Sequence, residues 1–441
     1  MDDTSADTAA LPPGRSEAVF DDYKPAYTAN QARVEANRCL YCHDAPCITA
    51  CPTSIDIPTF IRKIATDNVR GSAKTIFDSN ILGMSCARVC PVEVLCVGDC
   101  VYNEMGVPPI QIGKLQRFAT DAAFDAGWEY YEAGESTGKS VGIVGAGPAG
   151  LAAAHRLRRF GHAVTVYEKR SVLGGLNTTG VAPYKMPAAR SVEEVAWVTA
   201  IGGIEFKTNT SVPADISWEA LEAAHDALFI CFGLGPDSRL AVEGAELAGV
   251  HGAVDWIEDM KLSTVDTSAR RCLVIGGGNT ALDVVREAVG LGIPEVTMVY
   301  RGTEAGMSGY AHEWAAAKQG GAVASWQTQP VAFVGDGEKV TGVRCIKLDA
   351  DKKPIVGTEH VLEADLVLLA IGQSKLGDLA AALDGVEVEW GRILCNDDGA
   401  TGRPGVYVGG DCRNGGKEVV NAVAHGRDAA IAIHARLSGE S

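Results

Sequence analysis

No apolar run in this chain approaches the roughly 20 residues that a membrane-spanning helix needs. The longest, Leu366–Ile371, has the length of a buried strand. Basic residues are also short: 39 Lys and Arg stand against 56 Asp and Glu, a formal charge of −17. The charges are dispersed rather than blocked, which fits a solvated surface and argues against a nucleic-acid-binding face. The opening MDDTSADTAA has neither the basic nor the apolar region of a secretory signal. A cytoplasmic location with reduced thiols is therefore expected. After Cys100 no two cysteines lie close together in sequence. That excludes the redox-active pair a flavin-dependent disulfide reductase would need.

Before Cys100, by contrast, cysteines are dense. Of thirteen in the chain, eight fall in Cys39-x2-Cys42-x4-Cys47-x3-Cys51-Pro52, Cys86-x3-Cys90-Pro91 and Cys96-x3-Cys100. A 4Fe–4S cubane needs four ligands converging on one point, and short spacings let one turn of backbone supply several. A Cys-Pro commonly closes such a run, and its Cys often serves the other cluster. Structural zinc usually comes as paired CxxC knuckles, a spacing found here only at Cys39/Cys42. The pattern therefore reads as two iron–sulfur clusters and as one-electron transfer over a distance. The remaining Cys231, Cys272, Cys345, Cys395 and Cys412 stand singly, mostly in apolar stretches, and read as small core residues.

Around these cysteines, residues 29–135 alternate short helical stretches with loops, with helix-like apolar spacing at 57–68, 72–80 and 115–124. Residues 1–28 are polar and Pro-interrupted and read as a flexible lead. A different pattern begins at Ser140–Val144, an apolar strand running into Gly145-Ala146-Gly147-Pro148-Ala149-Gly150. A helix, a second strand at Ala163–Tyr167 and the acid Glu168 follow. Strand, glycine turn, helix, strand and acid in this order form a dinucleotide-binding unit. The glycines let backbone approach a pyrophosphate at the helix N-terminus, and Glu168 would accept from ribose hydroxyls. The same unit recurs over 271–301, with Gly276-Gly277-Gly278-Asn279-Thr280-Ala281 as its fingerprint and Ala281 in the third glycine's place. The later strand that ends in Gly409-Gly410-Asp411 looks placed to return to the first unit. The fold class expected is α/β: an N-terminal α-helical iron–sulfur domain, then two Rossmann-like domains. The first (136–238 and 372–441) would bind FAD and be interrupted by an NAD(P)H domain (239–371).

This arrangement resembles the two-dinucleotide-binding-domain flavoproteins, with Glu168, Gly174, Gly175 and Leu176 on the flavin side. Joined to the cysteine domain, the chain from about residue 30 onward resembles a narrower family. It comprises the electron-input region of dihydropyrimidine dehydrogenases, the bacterial NAD-dependent electron-input subunits, and glutamate synthase small subunits. The resemblance implies one cluster on Cys39, Cys42, Cys47 and Cys100, and another on Cys51, Cys90, Cys96 and a side chain at Gln116. Glutamate synthase small subunits carry Glu at that position and dihydropyrimidine dehydrogenases Gln. CHDAPC, CPTSIDIPTFI and LQRFATD also look like the pyrimidine enzymes. Spacing alone nominates Cys86 as the eighth ligand; the resemblance overrides it with Gln116 and leaves Cys86 as a buried structural residue.

The resemblance further places Lys169, Lys185, Val212, Ala370, Gly372 and the backbone of Val420, Asn421 and Ala422 among the cofactor-binding positions. Lys185 stands where relatives carry Arg, a point charge in place of a fork. NADPH-using relatives carry several basic residues after the second strand of the second unit. Here Arg301 alone remains, with Gly302 and Ser308 at the other positions, so NADH is favoured over NADPH. Hydride transfer between nicotinamide and flavin needs stacking more than acid–base help, so no catalytic side chain is expected. Pyrimidine reduction needs a further site, which in full-length relatives is an FMN-bearing (β/α)8 barrel of about 250 residues. No stretch is left for one here, so the resemblance implies a separate FMN subunit as partner. Feeding a glutamate synthase, or reducing ferredoxin-type carriers, is the alternative.

Overall fold

In the cysteine region, caps and apolar spacing decide where helices start. The computed structural model describes residues 11–439. Helix α1 (Ala29–Ala36) begins at Thr28, whose side chain accepts from the Gln31 amide while Gln31 reaches back to the Thr28 N–H. After the short α2 (Pro46–Thr49), α3 (Ile57–Ala65) is capped by Asp56 and buries Ile57, Phe60, Ile61 and Ile64. That spacing puts all four on one helical face. Asn68 caps α4 (Val69–Ser79), and α5 (Gly83–Val89) and α6 (Ile112–Asp125) complete the region.

The flexible lead expected over 1–28 needs correction where it can be examined; residues 1–10 lie outside the described residues. From Arg15 onward the chain is docked. The Ser16 amide donates to the Ser263 carbonyl and the Tyr23 amide to that of Tyr184. Buried Glu17 accepts from the Ala188 amide at 2.9 Å. These partners are mostly backbone groups far away in sequence, which composition does not reveal.

The first parallel sheet collects β1 (Ser140–Val144), α7 (Pro148–Arg159), β2 (Ala163–Tyr167), α8 (Leu176–Thr179), α9 (Ala188–Thr199), β3 (Ile204–Lys207), α10 (Trp218–Ala224) and β4 (Ala227–Ile230). A second unit follows: β5 (Val250–Gly252), α11 (Ala253–Leu262), β6 (Arg271–Ile275), α12 (Asn279–Gly290), β7 (Glu295–Val299), α13 (Ala311–Gln319) and β8 (Val323–Ser325). An antiparallel ribbon of β9 (Thr328–Gly335), β10 (Val340–Lys347) and β11 (His360–Glu363) leads into β12 (Leu366–Leu369). The hairpin β13 (Val388–Glu389) and β14 (Arg392–Ile393) precedes β15 (Val406–Val408), α14 (Asp411–Asn414) and α15 (Val419–Ser438).

Strand order is β15-β4-β1-β2-β3 in one five-stranded sheet and β5-β12-β6-β7-β8 in the other. The first sheet therefore receives its edge strand only after the whole second sheet has been made. One apolar core runs without a break from α3 and α4 into the first sheet and α15, taking in Phe60, Phe77, Ile143, Leu151 and Val423. On its flank the partly buried Trp197 of α9 packs at a tilt against Phe77 at 4.5 Å and Phe124 at 5.2 Å between ring centroids. The second unit keeps its own core around Trp256, Val274, Leu282 and Trp314. Among the described residues, no helix is long and apolar enough to cross a membrane.

Candidate functional site

The eight clustered cysteines face two cavities. Cys39 and Cys42 follow α1, Cys47 sits in α2, and Cys100 lies in the loop before α6; together they line a cavity of about 390 Å³. Ile57, Ile61, Ile110 and Ile112 form its apolar wall. Cys51, Cys90 and Cys96 line a second cavity of about 360 Å³, together with Cys86, Gln116 and Asn80. Among the described residues no three Cys, His or carboxylate side chains converge tightly enough to grip one ion. The thiols are instead spread around spaces suited to a wider group, and soft sulfur donors fit iron–sulfur clusters. Burial pushes the Cys47 and Cys96 thiols up to about 12, so they would hold iron only as thiolates, with loss of the proton.

Both candidates for the last ligand line the second cavity. Gln116 on α6 donates Nε2 to the Gly83 carbonyl at 2.8 Å, which fixes the amide and leaves Oε1 as its other end. Buried Cys86 lies on α5 against Cys90 and, together with burial, holds that thiol well above its ordinary value.

The flavin-side residues converge from three segments. Gly145 has φ +112°, which a side chain would strain. The Ala146 amide donates to Glu168 Oε2 at 2.8 Å, and Glu168 Oε1 accepts from the Arg170 amide at 2.9 Å. Glu168 thus fixes the fingerprint turn as well as standing at the end of β2. Gly147, Pro148 and Ala149 open α7; a Cβ on Gly175 would come within 2.9 Å of Gly147 Cα, and one on Gly410 within 3.3 Å of Ala149 Cβ. Such close approach of three glycine segments makes a cradle that any side chain would fill. Leu176 starts α8 beside it, and Asp411 follows Gly410. Val212 is buried in the core with Val144 and Tyr167, whereas Lys169 is exposed. Val420, Asn421 and Ala422 form the first turn of α15, and Val420 also lines the second cysteine cavity. Lys185 is clamped across to the second unit, 2.7 Å from Asp283 and 2.6 Å from Glu313.

In the second unit Gly276 has φ +143°, and a Cβ there would meet the Ala370 carbonyl at 2.2 Å. Gly277 packs on the Tyr300 ring, and Gly278 faces the Ser308 hydroxyl. Asn279 Oδ1 accepts from the Tyr310 amide at 3.1 Å, and Thr280 follows it in α12. Gly372 turns the chain just after β12, and Arg301 is exposed just beyond β7. The fingerprint residues therefore gather at the ends of β6, β7 and β12.

Sequence reasoning missed a buried polar joint between the cysteine region and α9. Glu194, fully buried, accepts from the Met84 and Ser85 amides at 3.0 and 3.1 Å and from the Ser85 hydroxyl. Asn177 donates to the same hydroxyl at 2.8 Å. It also missed Asn80, at the C-terminal end of α4. Neither carries a local signal, because both are defined by partners brought together only by the fold.

A family model described as dihydropyrimidine dehydrogenase domain II, 4Fe-4S cluster, matches residues 15–128. One described as pyridine nucleotide-disulphide oxidoreductase matches residues 139–426. NAD-dependent dihydropyrimidine dehydrogenase subunit PreT of Escherichia coli (strain K12) is 37% identical over 421 residues, 95% of this chain and 98% of that protein. The glutamate synthase (NADPH) small chain of the same strain is 33% identical, over 93% of this chain and 92% of that protein. Thioredoxin reductase from T. acidophilum superposes with a TM-score of 0.55 at 22% identity over 69% of this chain and 100% of that one, a likeness of fold alone. The cofactors are FAD, 4Fe–4S clusters and a nicotinamide dinucleotide. The chain belongs to the pyridine nucleotide-disulphide oxidoreductase family, as an iron–sulfur electron-transfer flavoprotein of the group that holds subunit PreT and the glutamate synthase small chain.

Proposed function

We propose that this chain is the electron-input subunit of an NAD-dependent dihydropyrimidine dehydrogenase, exchanging electrons with an FMN-bearing (β/α)8 subunit that interconverts uracil or thymine and the 5,6-dihydropyrimidines. The observation that carries the reading is Val420. It sits in the first turn of α15, expected at the flavin, and also lines the cavity of Cys51, Cys90 and Cys96. A flavin held there would lie next to the second cluster. A bound FAD would supply two-electron exchange with the nicotinamide and one-electron exchange with iron–sulfur acceptors.

The protein's part is binding, orientation and exclusion of water. Gly147, Gly175 and Gly410 offer backbone to the pyrophosphate of FAD, with the N-terminus of α7 favouring its charge. Gly276 to Thr280 offer the same to the nicotinamide dinucleotide at α12. Arg301 stands without neighbouring basic side chains at Gly302 and Ser308, which supports NADH over NADPH. Lys185, tied to Asp283 and Glu313, links the flavin-side loop to the second unit and keeps the two dinucleotide sites in register. The isoleucine walls of the first cavity keep that cluster from water. The described residues form no (β/α)8 barrel, and on this reading the pyrimidine site lies outside them.

The test is anaerobic purification of the tagged chain from its own host, followed by NADH and NADPH oxidation with and without uracil. Co-purification of an FMN protein and uracil-dependent NADH oxidation are expected. Oxidation of NADH with artificial acceptors only, indifferent to uracil, would sink the pyrimidine assignment. Glutamine-dependent turnover would move it to the second reading, a glutamate synthase small subunit, which the 33% identity to that chain keeps in view.

A further inference from the structure

Asn80 caps the end of α4 with its backbone N–H on the Ile76 carbonyl at 2.8 Å. Its side chain is 0% exposed and lines the cavity of Cys51, Cys90, Cys96 and Gln116. Among the described residues neither Nδ2 nor Oδ1 has a hydrogen-bond partner. A buried amide left unpaired carries the full desolvation penalty of both its groups. Aliphatic side chains would fill the same volume without that cost, so an amide here needs a partner that protein atoms do not provide. Of the other residues around that cavity, Ile55, Ile57, Val92, Leu95 and Val420 are apolar and cannot serve.

An iron–sulfur cluster presents sulfide and thiolate sulfurs, which accept hydrogen bonds and cannot donate them. We propose that Asn80 Nδ2–H donates to a sulfur of the second cluster and raises its reduction potential, making Asn80 a positioning residue for the electron arriving beside Val420. The donor stabilises the reduced cluster more than the oxidised one, because the extra electron adds negative charge to the sulfurs. The backbone on which Asn80 stands is anchored: Arg427 on α15 donates to the carbonyls of Ser79 at 3.0 Å and Thr53 at 2.7 Å. The inference rests on the reading that this cavity holds a cluster.

The test compares wild type with Asn80→Leu in the full chain, purified anaerobically. Iron and acid-labile sulfide are assayed, and both cluster potentials are followed by electron paramagnetic resonance during a redox titration. The expected result is full iron and sulfide, an unchanged first cluster, and a second cluster whose reduction equilibrium falls about tenfold, or ~59 mV for one electron. In wild type carrying nitrogen-labelled asparagine, the reduced second cluster should show a hyperfine coupling to the label. That measurement stands even where the variant fails to fold. An unmoved second potential at full cluster content, or no coupling in wild type, overturns the assignment. So does loss of the second cluster alone in Asn80→Leu, which would make Oδ1 an iron ligand. Absence of a second cluster from wild type would instead remove the cofactor reading beneath the inference, and the iron assay separates that case.

Discussion

A cysteine buried among cysteines holds its proton tightly, and so the side chains that complete each set decide what binds. For the second cavity, Gln116 is fixed by Gly83 while Cys86 is buried in α5. Cys86→Ala is expected to keep both clusters, whereas Gln116→Ala changes or loses only the second, as read by iron content and paramagnetic resonance. The opposite pattern would make Cys86 the ligand. Glu194 allows a second prediction. Burial, opposed by its bonds to Ser85 and Met84, raises its carboxyl from 4.5 to about 7. The folded protein thus binds this proton more tightly than the unfolded chain. Its stabilising contribution, on the order of 3 kcal/mol, is full below the unfolded value and disappears as pH rises through about 7. Thermal unfolding of wild type should therefore show a fall in Tm over that window which Glu194→Gln removes. Parallel curves for the two proteins would show that the carboxyl is ionised throughout.

Helices α7 and α15 lie so close that a Cβ on Gly426 would come within 2.0 Å of the Ala149 carbonyl oxygen. Gly426→Ala is expected to cost roughly 1–3 kcal/mol and to loosen FAD, since both helices begin at the flavin cradle; calorimetry and flavin retention on gel filtration check it. At this level the sequence reads well wherever the signal is local. Ser140–Val144, Ala163–Tyr167 and both glycine turns stand where periodicity and fingerprint place them, because a strand running into a Gly-rich turn needs no distant partner. The helices came out shifted at their ends: α4 starts at Val69 because Asn68 caps it, ahead of the apolar stretch that signals it. The site was less readable. Lys185 meets carboxylates on α12 and α13, and Glu194 meets α5, pairings that depend on the completed fold rather than on neighbouring residues.

Taken whole, the molecule joins its cysteine region to the first sheet through one core and leaves the second unit a core of its own. Rigid coupling of clusters to flavin suits electron transfer, and Trp197 is the joint. Trp197→Ala is expected to lower stability by about 2–4 kcal/mol and to slow cluster reduction by NADH more than flavin reduction, which stopped-flow absorbance resolves. Equal slowing of both would assign Trp197 to stability alone. The late arrival of β15 bears on how the protein is made. The ribosome delivers both cysteine runs and the α7 fingerprint early, then the entire nicotinamide unit, and only afterwards Val406–Val408, Gly410 and the start of α15. Flavin should accordingly be the last cofactor acquired. A nascent chain arrested between Leu369 and Val406 is expected to retain dinucleotide on α12 but no FAD, so flavin shortage in the cell would accumulate a protein that can bind coenzyme and cannot pass its electrons on.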